Sequence, residues 1–200
     1  SPVRATAYVS GLGYHALYIN GRKVGDHVLD PGFSDYSKRV FYVTHDVTGA
    51  LWGERCTIGV MLGSGWYDSP ATDVWGFHTA PWIAPPKLLL RIEVEHDDGT
   101  RTAIVSDASW KQSTGPIVFN SIRGGETYDA RLEMPGWCST GFDDEAWLNA
   151  IVRKAPEGTL TAHAAPTDRV MEVIEPVKIE KLEEGKYKID FGQEISGWVH

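Results

Sequence analysis

The stretch YHALYIN, residues 14–20, alternates from side to side and runs straight into a glycine. Tyr14, Ala16, Tyr18 and Asn20 fall on one face, and His15, Leu17 and Ile19 on the other, the period-two pattern of a strand held between two layers. The following pair, Asn20-Gly21, is the strongest short hairpin signal, because both residue types tolerate the positive φ of a tight turn. A chain with this signature is committed to local antiparallel pairing. The same grammar continues in ATAYVSGLG, VFYVTHDVTGAL and RCTIGVMLG, and in KLLLRIEVEHDDGTRTAIVSD, which folds back across Asp97-Asp98-Gly99. Many short runs separated by Gly, Pro, Asp and Ser predict an all-β, antiparallel β-sandwich of jelly-roll type. Helix is expected only as single turns at VTGAL and at DDEAW, with Asp143 capping the second.

The segment KAPEGTLTAHAAPTD, residues 154–168, is small, polar and without sustained periodicity. It divides the chain into a sandwich over 1–155, a linker over 156–168 and the first strands of a second β-domain over 169–200. That last part turns at Glu184-Gly185, and two strands alone are marginal in water, so the second domain is expected to continue beyond the chain. The opening Ser-Pro-Val-Arg, with neither an initiator Met nor a signal peptide, reads as an excised piece. A net charge of −8 repels nucleic acid. No apolar run reaches the roughly 18 residues of a membrane span. Cys56, in the apolar run 55–62, is expected to be a buried thiol; its pairing with Cys138 stays open.

A search for catalytic constellations finds no GxSxG, no activated cysteine, no paired-histidine zinc spacing and no phosphate-binding loop. Acidic pairs exist, but GFDDEAW reads as a helix start and KLEEGKY as a solvated hairpin tip. No complete active site is expected in this chain. Two stretches stand out instead. In NSIRGGETYDARLEMPGW, the residues Glu126, Tyr128, Asp129 and Arg131 form either an ion-paired strand edge or a polar wall toward a ligand or neighbouring domain. In GSGWYDSPATDVWGFHTAPW, residues 63–82, three tryptophans share an irregular segment with two prolines and three glycines. Trp66, beside the strand end, is expected to fold back as a plug. Tyr67, Asp73, Trp75, His78 and Trp82 suit a sugar, which offers apolar C–H faces and hydroxyl rims. Interdomain packing would use the same residues, and a core plug is the third reading.

In order along the chain, LYINGRKVGDHVLDPGFSDYSKRVFYVTHDVTGAL, IGVMLGSGWY, VWGFHTAPW, SIRGGETYDARLEMPGW, GFDDEAW and KYKIDFGQEISGWVH resemble the N-terminal, non-catalytic portion of bacterial α-L-rhamnosidases, glycoside hydrolase family 78. The resemblance implies a galactose-binding-like sandwich, then a second β-domain, then an (α/α)6 barrel that carries the catalytic acids. The whole enzyme would remove terminal α-L-rhamnose with inversion, using two carboxylates and a water. The implied partners are that barrel, the second β-domain and a rhamnose-containing glycan; the compartment stays open, a periplasmic or secreted bacterial enzyme being favoured over a cytoplasmic one. A related sandwich, carbohydrate-binding module family 67, binds rhamnose through calcium held by an adjacent Asp-Asn pair. Here the corresponding loop reads DSPATDVWGFHTA, with Asp68 and Asp73 but no Asp-Asn. Calcium, which takes six to eight oxygens, is the one cofactor that the resemblance carries, and this departure argues against it.

Overall fold

The computed structural model describes residues 2–53, 55–72 and 75–198. It separates into two compact units that meet in sequence at Asp168 and Arg169. In the first, a five-stranded sheet runs in the order Thr159–Ala162, Arg39–Asp46, Pro2–Leu12, Lys87–His96, Arg101–Val105. A three-stranded sheet, Arg22–Lys23, Tyr14–Ile19, Ile58–Gly63, forms a second layer. All pairings in both sheets are antiparallel except that of Thr159–Ala162, which runs parallel to Arg39–Asp46. The fold is the β-sandwich that the alternation predicts.

Alternation places the core. Ala5, Ala7 and Val9 stand opposite Val94, Ile92 and Leu90 across one ladder, and all six are buried. They meet Leu17 and Ile19 of the second sheet, with Val47 closing one end. Burial of each branched side chain contributes roughly 1.5–3 kcal/mol. His15, Leu17 and Ile19 point inward as the strand pattern requires. Asn20 and Gly21 both take positive φ, 51° and 79°, and join Tyr18 and Ile19 to Lys23 and Arg22 in the hairpin read from the sequence. Gly99, with φ 79°, turns Lys87–His96 into Arg101–Val105.

Three local expectations are corrected. DDEAW forms no helix: Asp143 accepts from the Glu145 N–H at 3.0 Å and Trp147 N–H reaches back to Asp144 O at 2.9 Å, which makes a turn. The side chain satisfies the backbone locally, as short polar residues do. VTGAL does give a single 3-10 turn, Thr48–Ala50. The 156–168 stretch, read as linker, contributes the strand Thr159–Ala162 at the edge of the large sheet. An edge strand needs backbone pairing more than an apolar face, so its sequence carries little alternation. Finally, Cys56 is exposed and Cys138 is the buried thiol, and neither is in a disulfide. The strand begins at Ile58, two residues past Cys56.

In the second unit, Lys178–Glu183 and Lys186–Asp190 form an antiparallel hairpin around Gly185. Ile179 faces Ile189 across it, and both side chains are exposed. Among the described residues no helix is long and apolar enough to cross a membrane.

The chain crosses between the two sheets in one residue, Gly13, which has φ 94°. A Cβ there would lie 2.0 Å from the Gly63 carbonyl oxygen and 2.6 Å from that of Ser64. Both the left-handed backbone and the contact exclude a side chain. Gly13→Ala is therefore expected to destabilise the protein by at least about 3 kcal/mol. A urea midpoint unchanged from wild type would show that the crossing has room to adjust.

Candidate functional site

The aromatic segment hangs from the end of Ile58–Gly63. Ser64 and Gly65 have no room to swing away: a Cβ on Gly65 would sit 2.9 Å from the backbone of Gly13, and Ser64 N–H donates to Asn120 Oδ1 at 2.8 Å. The chain then winds through one turn, with Asp68 N–H bonded to Ser64 O at 3.0 Å. It re-forms a 3-10 turn at Phe77–Thr79 after Gly76, whose φ is 72°. The Trp82 indole N–H donates to Trp66 O at 3.2 Å, and Ala84 N–H to Tyr67 O at 3.3 Å. These bonds fold the segment back upon itself.

That return builds a second core. Tyr67 is only 2 % exposed and packs edge-on against Tyr36, with centroids 5.1 Å apart. Leu12 and Val40 complete the buried cluster, and Trp66, Trp82 and Ala84 pack upon it. Phe33 links Trp66, Phe77 and Trp82, at 5.2, 6.0 and 6.3 Å between centroids. Such tilted contacts suit aromatic quadrupoles and add about 0.5–1.5 kcal/mol per pair beyond burial. Burial pushes the Tyr36 hydroxyl well above the usual phenol range. Lys87 Nζ donates to the Tyr67 hydroxyl at 2.9 Å and to Lys154 O at 3.1 Å.

The five residues singled out in this segment thus have different fates. Tyr67 lies in the core, and Trp82 is half-buried with its indole N–H bonded internally. His78 is half-buried within the 3-10 turn. Asp73 lies outside the described residues. Trp75 alone among them is broadly exposed, at 65 %. The guanidinium of Arg123 stacks on its ring, 3.6 Å from the centroid, and stands 5.9 Å from that of Trp66.

Arg123 comes from the turn of a hairpin, Ile117–Ser121 with Gly125–Tyr128, the same stretch that carries the proposed polar wall. Asn120, which anchors Ser64, stands opposite Glu126 in this ladder, so the two sequence candidates belong to touching elements. Of the wall, Asp129 accepts from Arg131 Nε at 2.8 Å and from Arg131 Nη2 at 2.6 Å. Arg131 holds the Asp129 carboxyl below its usual range. Tyr128 donates to Glu133 at 2.7 Å, and this bond raises the phenol. Glu126 remains exposed. Arg123 is missing from the sequence reading because an arginine before two glycines looks like a solvated hairpin tip; nothing local announces the tryptophan, forty-eight positions earlier, on which it lies.

Between segment and hairpin is a dent lined by Gly65, Trp66, Ser69, Ala71, Ile122 and Arg123, with a volume of about 10 Å³. Ligand pockets run to about 300–1,000 Å³, so this is a face and not a pocket. Asp68 is half-buried with its pKa raised, chiefly by burial, and its carboxylate accepts from Ser64 Oγ at 3.5 Å. A half-desolvated carboxylate held by a hydroxyl is a poor start for calcium. Elsewhere the fold unites donors that the sequence scatters: ligand atoms of His15, Asp30 and His45 all lie within 4.8 Å of one another.

The family model for the α-L-rhamnosidase N-terminal domain matches residues 1–172. An α-L-rhamnosidase of Formosa agariphila is 40 % identical over 206 residues, covering 98 % of this chain and 21 % of its own length. The structure of an α-L-rhamnosidase from Dictyoglumus thermophilum superposes with TM-score 0.85 at 43 % identity, over 96 % of this chain and 21 % of that one. An α-L-rhamnosidase of Streptomyces avermitilis, solved in complex with L-rhamnose, gives TM-score 0.87 at 36 % identity, over 96 % and 19 %. The chain thus spans about a fifth of the length of these relatives.

The split between buried and exposed aromatics predicts opposite stability effects. Trp82→Ala should cost about 2–3 kcal/mol, since it opens the second core and frees Trp66 O. Trp75→Ala should stay within about 0.5 kcal/mol of wild type. Chemical denaturation of the two variants tests this, and equal losses would contradict the division.

Proposed function

Because the chain belongs to the α-L-rhamnosidase N-terminal domain family, we propose that it is a non-catalytic accessory domain of a larger α-L-rhamnosidase, and that Trp75 with Arg123 rims the substrate entrance of the whole enzyme. The observation that carries this reading is the contrast within one segment. Tyr67, Trp66, Phe77 and Trp82 are spent on holding the segment in place, while Trp75 is left outward under a guanidinium. An indole face accepts the apolar C–H side of a sugar, and guanidinium N–H groups donate to ring hydroxyls. The cation–π contact also holds Trp75 in one orientation, so less side-chain entropy is lost when a ligand arrives.

The catalytic acids, two carboxylates acting with inversion on terminal α-L-rhamnosides, belong in this reading to the barrel of the whole enzyme. Glu126 and the Asp129–Arg131 pair line the hairpin side of the same rim. We take the rim to work without calcium. A second reading, a purely structural domain packed on the barrel, is favoured by the flatness of the surface, where the dent beside Trp66 and Arg123 holds about one water.

Kinetics of the full-length enzyme separate the two. Trp75→Ala and Arg123→Ala should each raise KM for rhamnosides about fivefold, the equivalent of one stacking contact of ~1 kcal/mol, with Tm unchanged. A chelator should leave wild-type KM where it was. If instead Tm falls and the folded variants keep wild-type kcat and KM, the domain is structural; if neither quantity moves, Trp75 and Arg123 have no part in either role.

A further inference from the structure

Beside the main core is a small polar chamber, about 10 Å³, lined by His15, Leu17, Lys23, His27, Asp30 and His45. His15 is 7 % exposed. Its backbone N–H donates to Asp30 O at 2.7 Å. Its Nε2 is buried with no hydrogen-bond partner among the described groups. Its Nδ1 accepts from the Gly11 N–H at 3.2 Å, so the neutral ring carries its proton on Nε2. That tautomer decides between two uses of the cluster. A cation bound at Nε2 would need the lone pair that the proton occupies, although the spacing to Asp30 and His45 resembles a ligand set. A second proton, in contrast, has only Nδ1 to go to, where it would face the Gly11 N–H donor head-on. Protonated His15 cannot keep the Gly11 bond.

The Gly11 bond matters because of where it lies. Gly11 and His15 flank Gly13, the single-residue crossing between the sheets, and Gly13 bears directly on Gly63, Ser64 and Gly65, the root of the aromatic segment. We infer that His15 is an acid-sensitive latch: its protonation releases Gly11, opens the crossing at Gly13 and loosens the root of the segment 63–82.

The surroundings favour such a device. Facing His15 are His45 from Arg39–Asp46, His27 from the short strand His27–Val28, Asp30, which bridges to the His15 backbone, and Lys23 from the neighbouring strand. Asp30 is already engaged by His27, whose Nδ1 lies 2.8 Å from Oδ2; the rings of His27 and His45 are 5.3 Å apart. Burial first, then the nearby His45 and His27, lowers the His15 pKa to about 3 from an ordinary 6.5. His45 is lowered as well, chiefly by burial. A histidine whose pKa is depressed in the closed state stabilises that state fully above pH 6.5. The stabilisation is lost as pH falls from there toward 3.

Hydrogen exchange of the full-length protein, read by mass spectrometry and corrected for intrinsic rates, tests the latch. Between pH 7.5 and pH 5.0, peptides over residues 8–18 and 60–72 should lose about thirtyfold in protection, the ratio set by an open-state pKa of 6.5. His15→Asn, whose Oδ1 still accepts from Gly11 but does not titrate, should flatten that dependence. Wild-type protection that ignores pH, or an undiminished slope in the variant, overturns the inference. So does protection that rises with added zinc, which would make the cluster a cation site. A readout without any variant is C2-proton exchange of the His15 imidazole; titration above pH 6 in the folded protein would also overturn it.

Discussion

The architecture hangs on a contact with no side chains in it. Gly13 passes the chain from the five-stranded to the three-stranded layer while pressed on the carbonyls of Gly63 and Ser64, and Gly65 returns against Gly13 from the other side. Two backbones at this distance leave room only for glycine. Because Tyr14–Ile19 begins there and Ile58–Gly63 ends there, their register is pinned at the same point, Tyr14 standing opposite Gly63. One slip in register would turn Leu17 and Ile19 outward. The main core, the aromatic core and the buried histidines therefore share a single mechanical root.

From that root the two cores diverge in character. The first is aliphatic and is built by alternation across facing ladders, Ala5, Ala7 and Val9 against Val94, Ile92 and Leu90. The second is aromatic and irregular, and its order comes from tilted ring contacts and a few internal bonds, such as that of the Trp82 indole to Trp66 O. Large rings fill volume without repeating backbone geometry, so a segment with two prolines and three glycines is held as firmly as its hydrogen bonds and packing allow.

Legibility in the sequence followed the range of the interaction. The inward faces of Tyr14–Ile19 and the turns at Asn20-Gly21 and Asp97-Asp98-Gly99 depend on neighbours in sequence, and the residues announce them. The strand Thr159–Ala162 depends on a partner more than a hundred positions away, so polar residues between prolines conceal it. The same limit applies to the aromatic segment. Its composition reveals that something must be stacked there, but which rings turn inward depends on Phe33 and Tyr36, from a loop thirty positions earlier. Arg123 and the cluster of His15, Asp30 and His45 are wholly products of the fold: each residue alone has an ordinary local context, and only the distances make them unusual.

The placement of Trp75 ties these observations to function. A segment that only plugged the sandwich would need no exposed indole, and one built only to hold a ligand would not bury Tyr67 to 2 %. Here the buried rings act as a foundation for the exposed one, and the hairpin that supplies Arg123 is fixed to the same foundation through Asn120 and Ser64. The exposed pair is thus positioned by the second core, the second core by the crossing at Gly13, and the crossing by the Gly11–His15 bond. In the proposed reading, a rim supported in this order inherits its rigidity from the backbone and its pH sensitivity from one imidazole. If the proposed rim and the inferred latch both hold, the acid response of the rim and the stability of the sandwich share one origin, two residues from the glycine on which both layers turn.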